Sequence, residues 1–380
     1  ISQAPGIGKK IAQRIILELK DKLGKEQESA PAAVEFGGVV SAIGTNTKAK
    51  EASEALAVLG YGTQEIAAAL KGLAGGRRAF AIIDSALTGT AATGLWSDIF
   101  GDNVIWLEAD EGLKSLACVE ALARTMLEKG VDRSWMLVGI GGGITTDITG
   151  FLAATYMRGI GCALVPTTLL AQIDAAIGGK TAVNLDHIKN CVGLIRQPDF
   201  VVPADLTLLR TLPEGELLSG FGELVKYALI ASRPLFDELL HIDKLSAECL
   251  RPEWISTCVE YKNKIVAIDP DDIKERHVLN FGHTYGHAIE SLCAAQGEPI
   301  PHGIAVAIGI LFECQKAAQE GNFPMEDFLL VEKLIRHHFE VPAYDEALER
   351  QLSPYFLQDK KNKNGEVAFV QLSEIGKVRL

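Results

Sequence analysis

The hydrophobic positions of the chain follow different patterns on either side of about residue 210. From residue 78 onward, short apolar runs alternate with segments of helical period such as SLACVEALARTMLEKG (115–130). The runs that predict strands are RAFAIID (78–84), NVIWLEA (103–109), WMLVGIGGG (135–143), CALVPTT (162–168) and FVVPADL (200–206). Alternation of strands and helices is typical of a parallel, doubly wound sheet.

After TLPEGE (211–216) helical periodicity takes over and continues to about residue 350, and only VAFVQL (367–372) looks extended. We therefore predict an α/β protein with a Rossmann-like doubly wound domain over 77–210 and a mainly α-helical domain over 211–380. Residues 1–74 are predicted to form a separate helical extension, since APGIGKKIAQRIILELKDKLG is amphipathic and 50–73 read as two short helices around a GYG turn.

Length and composition agree with a multidomain globular protein. The chain has 380 residues, and a domain typically takes about 150, so more than one core is expected. The formal charge of −12 argues against a general nucleic-acid coat, and no apolar run approaches the ~18 residues of a membrane span. Seven scattered cysteines without a CxxC pair suit a reducing cytoplasm and argue against a cysteine-type zinc site. The opening ISQAPGIGKK has neither a signal pattern nor an initiator Met, which suggests a fragment or a processed chain.

A glycine loop, GIGGGITTDITG (139–150), follows a predicted strand and opens a predicted helix. Backbone N–H groups in such a loop approach a pyrophosphate closely, and the helix N-terminus supplies partial positive charge. The spacing is not GxGxxG, so a tight turn without a ligand remains the alternative. Asp147 is a candidate contact to a ribose or nicotinamide amide, or simply a carboxylate near a helix start.

The segment PTTLLAQIDAAIGGKTAVN (166–184) places polar groups in an otherwise apolar stretch. It contains the Thr167-Thr168 pair, Asp174 and Lys180, and Lys189-Asn190 follow. A lysine is usually solvated, but two lysines beside glycines and threonine hydroxyls favour an anionic phosphate or carboxylate substrate.

Candidate metal ligands are found in two helical segments and a PHG turn. Glu223 and Lys226 lie at i and i+3, which is usually a surface ion pair, but their apolar neighbours favour a buried pair, and a buried glutamate invites a metal. His283 and His287 lie at i and i+4, and His302 comes fifteen residues later. Three imidazoles with Glu223 suit a zinc-type site with an open position, while structural histidines remain the alternative.

Four segments together carry a family resemblance over roughly 77–380. GGGITTDITGFLAATYMRG, VPTTLLAQIDAAIGGKTAVN, LPEGELLSGFGELVKYALI and NFGHTYGHAIE, in this order and spacing, resemble the 3-dehydroquinate synthase family. That family converts 3-deoxy-D-arabino-heptulosonate 7-phosphate to 3-dehydroquinate and phosphate in the shikimate pathway of aromatic amino-acid biosynthesis. The resemblance implies a carbon–oxygen lyase with NAD and a divalent metal (Zn²⁺ or Co²⁺), a homodimer and a cytoplasmic location.

The resemblance also implies a role for each matching residue. Glu223, His283 and His302 would bind the metal, and His287 would contact substrate instead. The other residues matched to substrate binding and catalysis are Asp174, Lys180, Asn190, Lys226, Lys262, Arg276, Asn280 and Lys360, with Lys361 as a rival to Lys360. Those matched to NAD binding are Asp84, Glu111, Lys114, Gly142, Gly143, Asp147, Thr167, Thr168, Lys189 and Thr211.

The sequence departs from the family pattern at two places. Ile304 follows the His302-Gly pair where the family commonly has a glutamate, so the surroundings of the metal are expected to differ. The family's first strand is missing ahead of residue 78. We therefore expect the sheet edge near 78–84 to be exposed or covered by the preceding helices.

Residues 1–73 resemble a different family, the DNA-binding subunit of the Holliday-junction branch-migration complex. PGIGKKIAQRIILELKDKLG is similar to its second helix–hairpin–helix, and EASEALAVLGYGTQEIAAAL is similar to its small tail domain. An ordinary helical extension is the alternative, and the sequence alone does not separate a natural fusion from an artificial join. The resemblance implies weak or no nucleic-acid binding through residues 1–30.

Three other functions remain as alternatives. A related sugar-phosphate cyclase would act on heptulose 7-phosphate or glucose 6-phosphate, which lack the carboxylate that Arg276 and Lys360 suit. A metal-dependent polyol dehydrogenase of similar build would not need the substrate lysines. The third alternative is a DNA-junction-binding module, in which the enzyme-like half of the chain would have no part in the function.

Overall fold

The computed structural model describes residues 76–89, 93–186, 188–202, 206–356 and 370–379. The predicted extension over 1–74 lies outside the described residues, and so do Lys360 and Lys361. The strands, in chain order, are β1 Ala79–Asp84, β2 Val104–Leu107, β3 Met136–Gly141, β4 Gly161–Pro166, β5 Lys180–Leu185, β6 Ile188–Ile195, β7 Phe200–Val201, β8 Gln371–Glu374 and β9 Lys377–Arg379. The helices are α1 Thr93–Phe100, α2 Leu116–Glu128, α3 Gly143–Thr155, α4 Glu214–Ala231, α5 Arg233–Leu239, α6 Pro252–Ile268, α7 His283–Ala295, α8 His302–Gln319, α9 Met325–His338 and α10 Glu346–Phe356.

Five strands form a parallel sheet in the order β2-β1-β3-β4-β7. The side chains of β1 alternate between two separate cores, because successive residues of a strand point to opposite faces. Phe80 and Ile82 pack in a core with residues of α2 and α3, whereas Ala81 and Ile83 pack in another with Trp96 of α1. Apolar cores on both faces confirm the predicted doubly wound α/β fold.

The expectation of an exposed edge at 78–84 is wrong. Strand β1 is hydrogen-bonded on both sides, with Ile82 opposite Ile105 of β2 and opposite Gly139 of β3. The chain passes from β1 to β2 on one side and returns to β3 on the other, so β1 lies inside the sheet. This reversal creates a crevice beyond the carboxyl ends of β1 and β3, where ligands bind in sheets of this kind.

An antiparallel hairpin of β5 and β6 lies between β4 and β7 in sequence, and the sequence analysis did not predict it. Its residues are mostly half-buried or exposed, so they lack the apolar run that marks the sheet strands. Gly178 and Gly179 precede β5 with φ angles of +88° and +69°, a backbone conformation that favours glycine. The predicted extended segment near the C-terminus is confirmed in its described part, where β8 pairs with β9.

Helices α4 to α10 follow the sheet, as the change of pattern near residue 210 predicts. A single large core joins residues from several of them, among them Phe221 of α4, Trp254 of α6 and Ile310 of α8. The proposed division into domains at about residue 210 stays a prediction. Among the described helices, none combines the length and apolar character that a membrane crossing requires.

Glycines set how closely the helices approach one another. A Cβ atom on Gly309 of α8 would lie 2.1 Å from the carbonyl oxygen of Gly282, the residue before α7. Gly222 of α4 and Gly303 of α8 are in similarly close contact. These contacts bring the first turn of α8 against the middle of α4, and the start of α7 against the middle of α8.

Candidate active site

Three helices each present one side chain to a buried cluster. Glu223 lies in the middle of α4, and His283 and His302 are the first residues of α7 and α8. The Oε1 atom of Glu223 lies 3.6 Å from Nε2 of His283 and 3.4 Å from Nε2 of His302. Because the glycine contacts hold the three backbones together, residues far apart in sequence meet at one point.

Hydrogen bonds orient both imidazoles towards Glu223. The Nδ1 atom of His283 donates to the carbonyl oxygen of Phe281 at 3.1 Å, and Nδ1 of His302 donates to Glu290 at 2.9 Å. A proton on Nδ1 leaves the lone pair of Nε2 available, and both Nε2 atoms face the Glu223 carboxylate.

The cluster fits a divalent metal. The Glu223 side chain is 1% exposed, and Nζ of Lys226 lies 2.5 Å from its Oε2 atom. Neither carboxylate oxygen of Glu223 receives a well-aligned hydrogen bond from the described residues. One ligand atom from each of Glu223, His283 and His302 lies within 4.8 Å of the others. Two imidazoles and one carboxylate are a donor set used by catalytic zinc, with a further position open. The buried pair of Glu223 and Lys226 is confirmed.

His287 is not part of this cluster. Its ring centroid lies 5.4 Å from that of His283 and 5.8 Å from that of His302, and its possible ligand atom groups with Glu290 and His302 instead. The set of three imidazoles with Glu223 that the spacing suggested is therefore not assembled in the described residues. His287 lies beside the cluster, with its ring next to those of His283 and His302.

A second cluster is centred on Asp174, in a π-helical turn over Ala171–Ala175. Lys226 donates to Oδ2 of Asp174 at 3.1 Å, Tyr227 donates to Oδ1 at 3.3 Å, and Lys262 donates to both the side chain and the backbone carbonyl of Asp174. Burial alone raises the pKa of Asp174, but the two ammonium groups hold it well below its usual value. Lys226 thus links Asp174 to Glu223 of the metal cluster.

Arg276 and Lys180 lie on the same side of the protein as the Asp174 cluster. The Arg276 side chain is fully buried, and its guanidinium donates to the carbonyl oxygens of Gly178 at 2.9 Å and Pro270 at 3.3 Å. Nζ of Lys180 lies 2.5 Å from a carboxylate oxygen of Asp272. Asn280 ends the 3₁₀ turn Glu275–Asn280 that leads into α7. The structure therefore brings cationic groups from both halves of the chain together.

The carboxyl ends of the sheet strands hold several residues matched to the cofactor. Asp84 ends β1, Gly142 precedes the first turn of α3, and Thr167 follows β4 and donates its N–H to the carbonyl of Gly141. A Cβ atom on Gly142 would lie 3.0 Å from the Thr168 side chain, so the loop passes close to the β4 end. Burial raises the pKa of Asp84. The N-terminus of α3 faces the crevice between β1 and β3, a favourable position for a pyrophosphate.

A polar cluster ties the hairpin to the glycine-loop helix. The Nζ atom of Lys114 lies 2.5 Å from Oδ2 of Asp147 and donates a hydrogen bond to Oδ1 of Asn190 at 2.6 Å. Burial raises the pKa of Asp147. Asn184 donates to a carboxylate oxygen of Glu111 at 2.8 Å. The predicted residues Glu111, Lys114, Asp147 and Asn190 are therefore brought together.

Of the remaining cofactor candidates, Thr211 and Lys189 lie away from the carboxyl ends of the sheet strands, whereas Gly143 lies at them. The Thr211 hydroxyl donates to the Leu208 carbonyl in a 3₁₀ turn ahead of α4. Lys189 forms an ion pair with Glu290 at 3.1 Å, next to the metal cluster. Gly143 is the first residue of α3, where a Cβ atom would lie 3.4 Å from the Ala175 side chain.

Sequence reasoning missed several residues that the structure places at the site. Glu290 is within the quoted motif NFGHTYGHAIE, seven residues after His283, so it lies on the same face of α7 and was available as a signal. Asp272 and Tyr227 had no distinguishing pattern, because their roles arise from contacts with residues distant in sequence.

Two family models match most of the described chain. The model described as 3-dehydroquinate synthase N-terminal matches residues 104–219, and the one described as 3-dehydroquinate synthase C-terminal matches residues 220–362. Among curated proteins, the chain is 41% identical to 3-dehydroquinate synthase of Alkaliphilus metalliredigens over 268 residues, which cover 70% of this chain and 74% of the relative. It is 39% identical to the enzyme of Solibacter usitatus, covering 72% and 77%.

Solved structures give a consistent result. A crystal structure of 2-deoxy-scyllo-inosose synthase complexed with carbaglucose-6-phosphate, NAD+ and Co2+ matches with a TM-score of 0.68 at 28% identity, covering 80% of this chain and 85% of that one. The structure of 2-epi-5-epi-valiolone synthase from Streptomyces hygroscopicus with NAD+ and Zn2+ bound has a TM-score of 0.70 at 24% identity, covering 92% and 93%. The second likeness concerns the fold alone.

Proposed function

The chain belongs to the 3-dehydroquinate synthase family, and from this membership we propose that its metal and lysine clusters carry out the reaction of that family. The substrate is 3-deoxy-D-arabino-heptulosonate 7-phosphate, and the products are 3-dehydroquinate and phosphate. The observation that carries the proposal is the buried Glu223 carboxylate facing two oriented imidazoles, with the Asp174 lysines directly beside it.

The site residues fit two cofactors, NAD and a divalent metal, Zn²⁺ or Co²⁺. A related enzyme crystallised with NAD+ and Co2+ supports this pair. Glu223, His283 and His302 would hold the metal, and Asp84, Gly142, Gly143 and the Thr167-Thr168 pair would hold NAD. When bound, the metal would supply polarisation of a substrate hydroxyl, and NAD would supply a reversible acceptor for the hydride on the carbon that carries it.

The cofactor contacts of Glu111, Lys114, Asp147, Lys189 and Thr211 are also part of the proposal. Lys114 neutralises the Asp147 carboxylate close to the N-terminal turn of α3, at 2.5 Å. That pairing keeps the end of the helix favourable for a bound pyrophosphate, since an unpaired carboxylate there would repel it.

The lysines and arginine bind the anionic ends of the substrate. Lys180, with a half-exposed side chain, is accessible to a phosphate, whereas Lys226 and Lys262 are held at fixed positions by Asp174. Ammonium groups and a guanidinium form charge-assisted hydrogen bonds to phosphate and carboxylate oxygens. Arg276, Asn280 and His287 contribute further contacts, together with Lys360, which lies outside the described residues.

Phosphate release is an elimination in which the C–H beside the new ketone gives its proton to the phosphate group as the bond from carbon to the phosphate oxygen breaks. The residues of this chain prepare this step by position. The lysines hold the phosphate where the bond to carbon breaks and stabilise the negative charge that it carries away. Asp174 keeps Lys226 and Lys262 in fixed geometry, because both lysines are buried and each donates a hydrogen bond to the Asp174 carboxylate. Asn190 anchors the hairpin that brings Lys180 to the site.

A related sugar-phosphate cyclase activity is the second candidate, because a 2-deoxy-scyllo-inosose synthase shares the fold at 28% identity. Its bound ligand is a carbaglucose-6-phosphate, which has no carboxylate. The 41% identity to a 3-dehydroquinate synthase favours the heptulosonate phosphate.

The test is release of inorganic phosphate in the presence of NAD and Zn²⁺. We expect release from the heptulosonate phosphate and none from glucose 6-phosphate or heptulose 7-phosphate. Release only from one of these two sugar phosphates, which lack the carboxylate, would favour the second candidate instead.

Assembly and location are also proposals. A homodimer and a cytoplasmic location suit a biosynthetic enzyme of this family. We propose weak or no nucleic-acid binding through residues 1–30, whose sequence contains six basic and four acidic residues. Sedimentation and a DNA-binding titration at physiological salt test the dimer and the weak binding.

A further inference from the structure

Glu290 connects the metal cluster to the hairpin, and the function proposed above gives it no role. Its side chain, 11% exposed, lies on α7 two turns after His283. One carboxylate oxygen accepts a hydrogen bond from Nδ1 of His302 at 2.9 Å, and the other lies 3.1 Å from Nζ of Lys189 on β6.

The contact with His302 fixes which ring nitrogen faces the metal cluster. A carboxylate accepts but does not donate, so the proton of the neutral imidazole stays on Nδ1 and the lone pair stays on Nε2. That Nε2 atom lies 3.4 Å from Oε1 of Glu223. Partners of this kind orient ligating histidines and raise their basicity.

The Nδ1 atom of His302 donates to a side chain, whereas that of His283 donates to the backbone. Nδ1 of His283 donates to the backbone carbonyl of Phe281, which no substitution removes. The His302 side chain is 36% exposed and lies at the first residue of α8, so fewer packing contacts restrict its ring. A change of the neighbouring Glu290 side chain can therefore alter the orientation of His302 directly.

Lys189 holds Glu290 from the opposite side. Its position is fixed because the next residue, Asn190, accepts a hydrogen bond from Lys114 and donates its backbone N–H to Asn184 at 2.8 Å. The ion pair joins β6 to α7 across 101 residues of sequence. The geometry of His302 therefore depends on the hairpin as well as on its own helix.

We propose that Glu290 is a positioning residue for His302, and that Lys189 supports it, so that the β5–β6 hairpin contributes to metal affinity. The inference rests on the proposed ligands Glu223, His283 and His302. It predicts an effect on metal binding itself, separate from any contact with substrate.

The experiment measures the Zn²⁺ dissociation constant of the full chain by competition with a chromophoric chelator. We expect Glu290→Ala to weaken Zn²⁺ binding about 10- to 100-fold, the usual range for loss of such a partner. Glu290→Gln should weaken it less, because an amide oxygen still accepts from Nδ1. Lys189→Met should weaken Zn²⁺ binding a few-fold, because loss of a half-exposed ion pair has an effect of about this size. Glu332→Gln, which breaks the Arg336–Glu332 pair on α9, is the matched control and should leave the constant unchanged.

The Co²⁺-loaded protein gives a second readout, which a general loss of stability would not produce. Its visible absorption reports ligand geometry, and we expect a changed spectrum for Glu290→Ala and an unchanged one for Glu332→Gln. If Glu290→Ala does not fold, Glu290→Gln and Lys189→Met decide the question. Wild-type affinity and spectrum in the Glu290 variants that fold would overturn the proposal.

Two further outcomes separate this inference from the function that it rests on. If the wild type bound two equivalents of Zn²⁺ and Glu290→Ala bound only one, Glu290 would be a ligand of a separate site with His287. That result would overturn the positioning role. Glu223→Ala should abolish Zn²⁺ binding. Retained binding in Glu223→Ala would contradict the ligand assignment, whereas its loss together with unaffected Glu290 variants would contradict the positioning role alone.

Discussion

A Cβ atom on Gly222 would lie 1.9 Å from the carbonyl oxygen of Gly303, so the backbones of α4 and α8 touch at this point. The next residue of α4 is Glu223, and the residue before Gly303 is His302. The same close contact that packs the two helices therefore sets the distance between two proposed metal ligands.

Gly222→Ala should destabilise the protein and weaken metal binding, because the methyl group overlaps backbone that cannot move away as a side chain would. Overpacking of this kind costs about 1–3 kcal/mol or more. The free energy of unfolding and the Zn²⁺ affinity are the measurements. Gly215→Ala, at an exposed position of the same helix with open space around it, is the control and should be neutral or stabilising by up to ~1 kcal/mol. Equal behaviour of the two variants would contradict the role of the contact.

The buried carboxyl group of Glu313 makes the free energy of unfolding depend on pH. Burial raises the pKa of this carboxyl on α8 to about 8, even though the backbone N–H of Gly282 donates to it. The folded state thus retains a proton that the unfolded state loses near pH 4.5, so this group makes stability fall as pH rises from about 5 to 8.

Glu313→Gln keeps a hydrogen-bond acceptor and removes the titration. Between pH 5 and pH 8 we expect the unfolding free energy of the variant to fall less than that of the wild type, by roughly 4 kcal/mol in total. Each pKa unit is worth about 1.4 kcal/mol. Denaturant unfolding at several pH values measures it. Parallel pH curves for the two proteins would contradict the raised pKa.

NAD should be recycled and not consumed. Because hydride leaves and returns within one turnover, we expect product to exceed the NAD supplied many-fold, without net growth of NADH absorbance. Phosphate release and absorbance followed in the same cuvette make the comparison. Build-up of NADH equal to product would indicate a polyol dehydrogenase instead.

Deletion of residues 1–73 should leave metal and NAD binding intact, since the proposed ligands all lie at or beyond Asp84. Strand β1 is paired on both sides, so the described sheet does not need those residues to complete it. Calorimetric titration with Zn²⁺ and NAD, alongside circular dichroism, tests this. Loss of NAD binding by a deletion variant that still folds would show that the segment belongs to the enzyme.

The sequence predicted the sheet strands well because each lies in a short apolar run. Strand β3, buried throughout, is the clearest case. The β5–β6 hairpin was missed because exposed and half-buried residues leave no period, yet it carries Lys180, Lys189 and Asn190. The expected exposed edge at 78–84 was wrong because strand order depends on long-range pairing, which a local pattern does not contain.

The candidate site was predicted mainly through its family motifs. Spacing alone grouped His287 with His283, His302 and Glu223, whereas in the structure the ligand atom of His287 groups with Glu290 and His302 and not with Glu223. The Asp174 contacts with Lys226 and Lys262 join segments 52 and 88 residues apart, so a local reading of the sequence could not have paired them.

The most direct test of the central claim is metal-dependent release of phosphate from 3-deoxy-D-arabino-heptulosonate 7-phosphate. Wild-type protein is assayed in the presence of NAD in three states: as purified, after thorough removal of metal by a chelator, and after Zn²⁺ or Co²⁺ is added back. The Glu223→Gln variant is assayed in parallel. We expect chelation to abolish release, added metal to restore it, and Glu223→Gln to lose several kcal/mol of transition-state stabilisation along with bound metal. Full turnover by the demetallated protein would contradict the account.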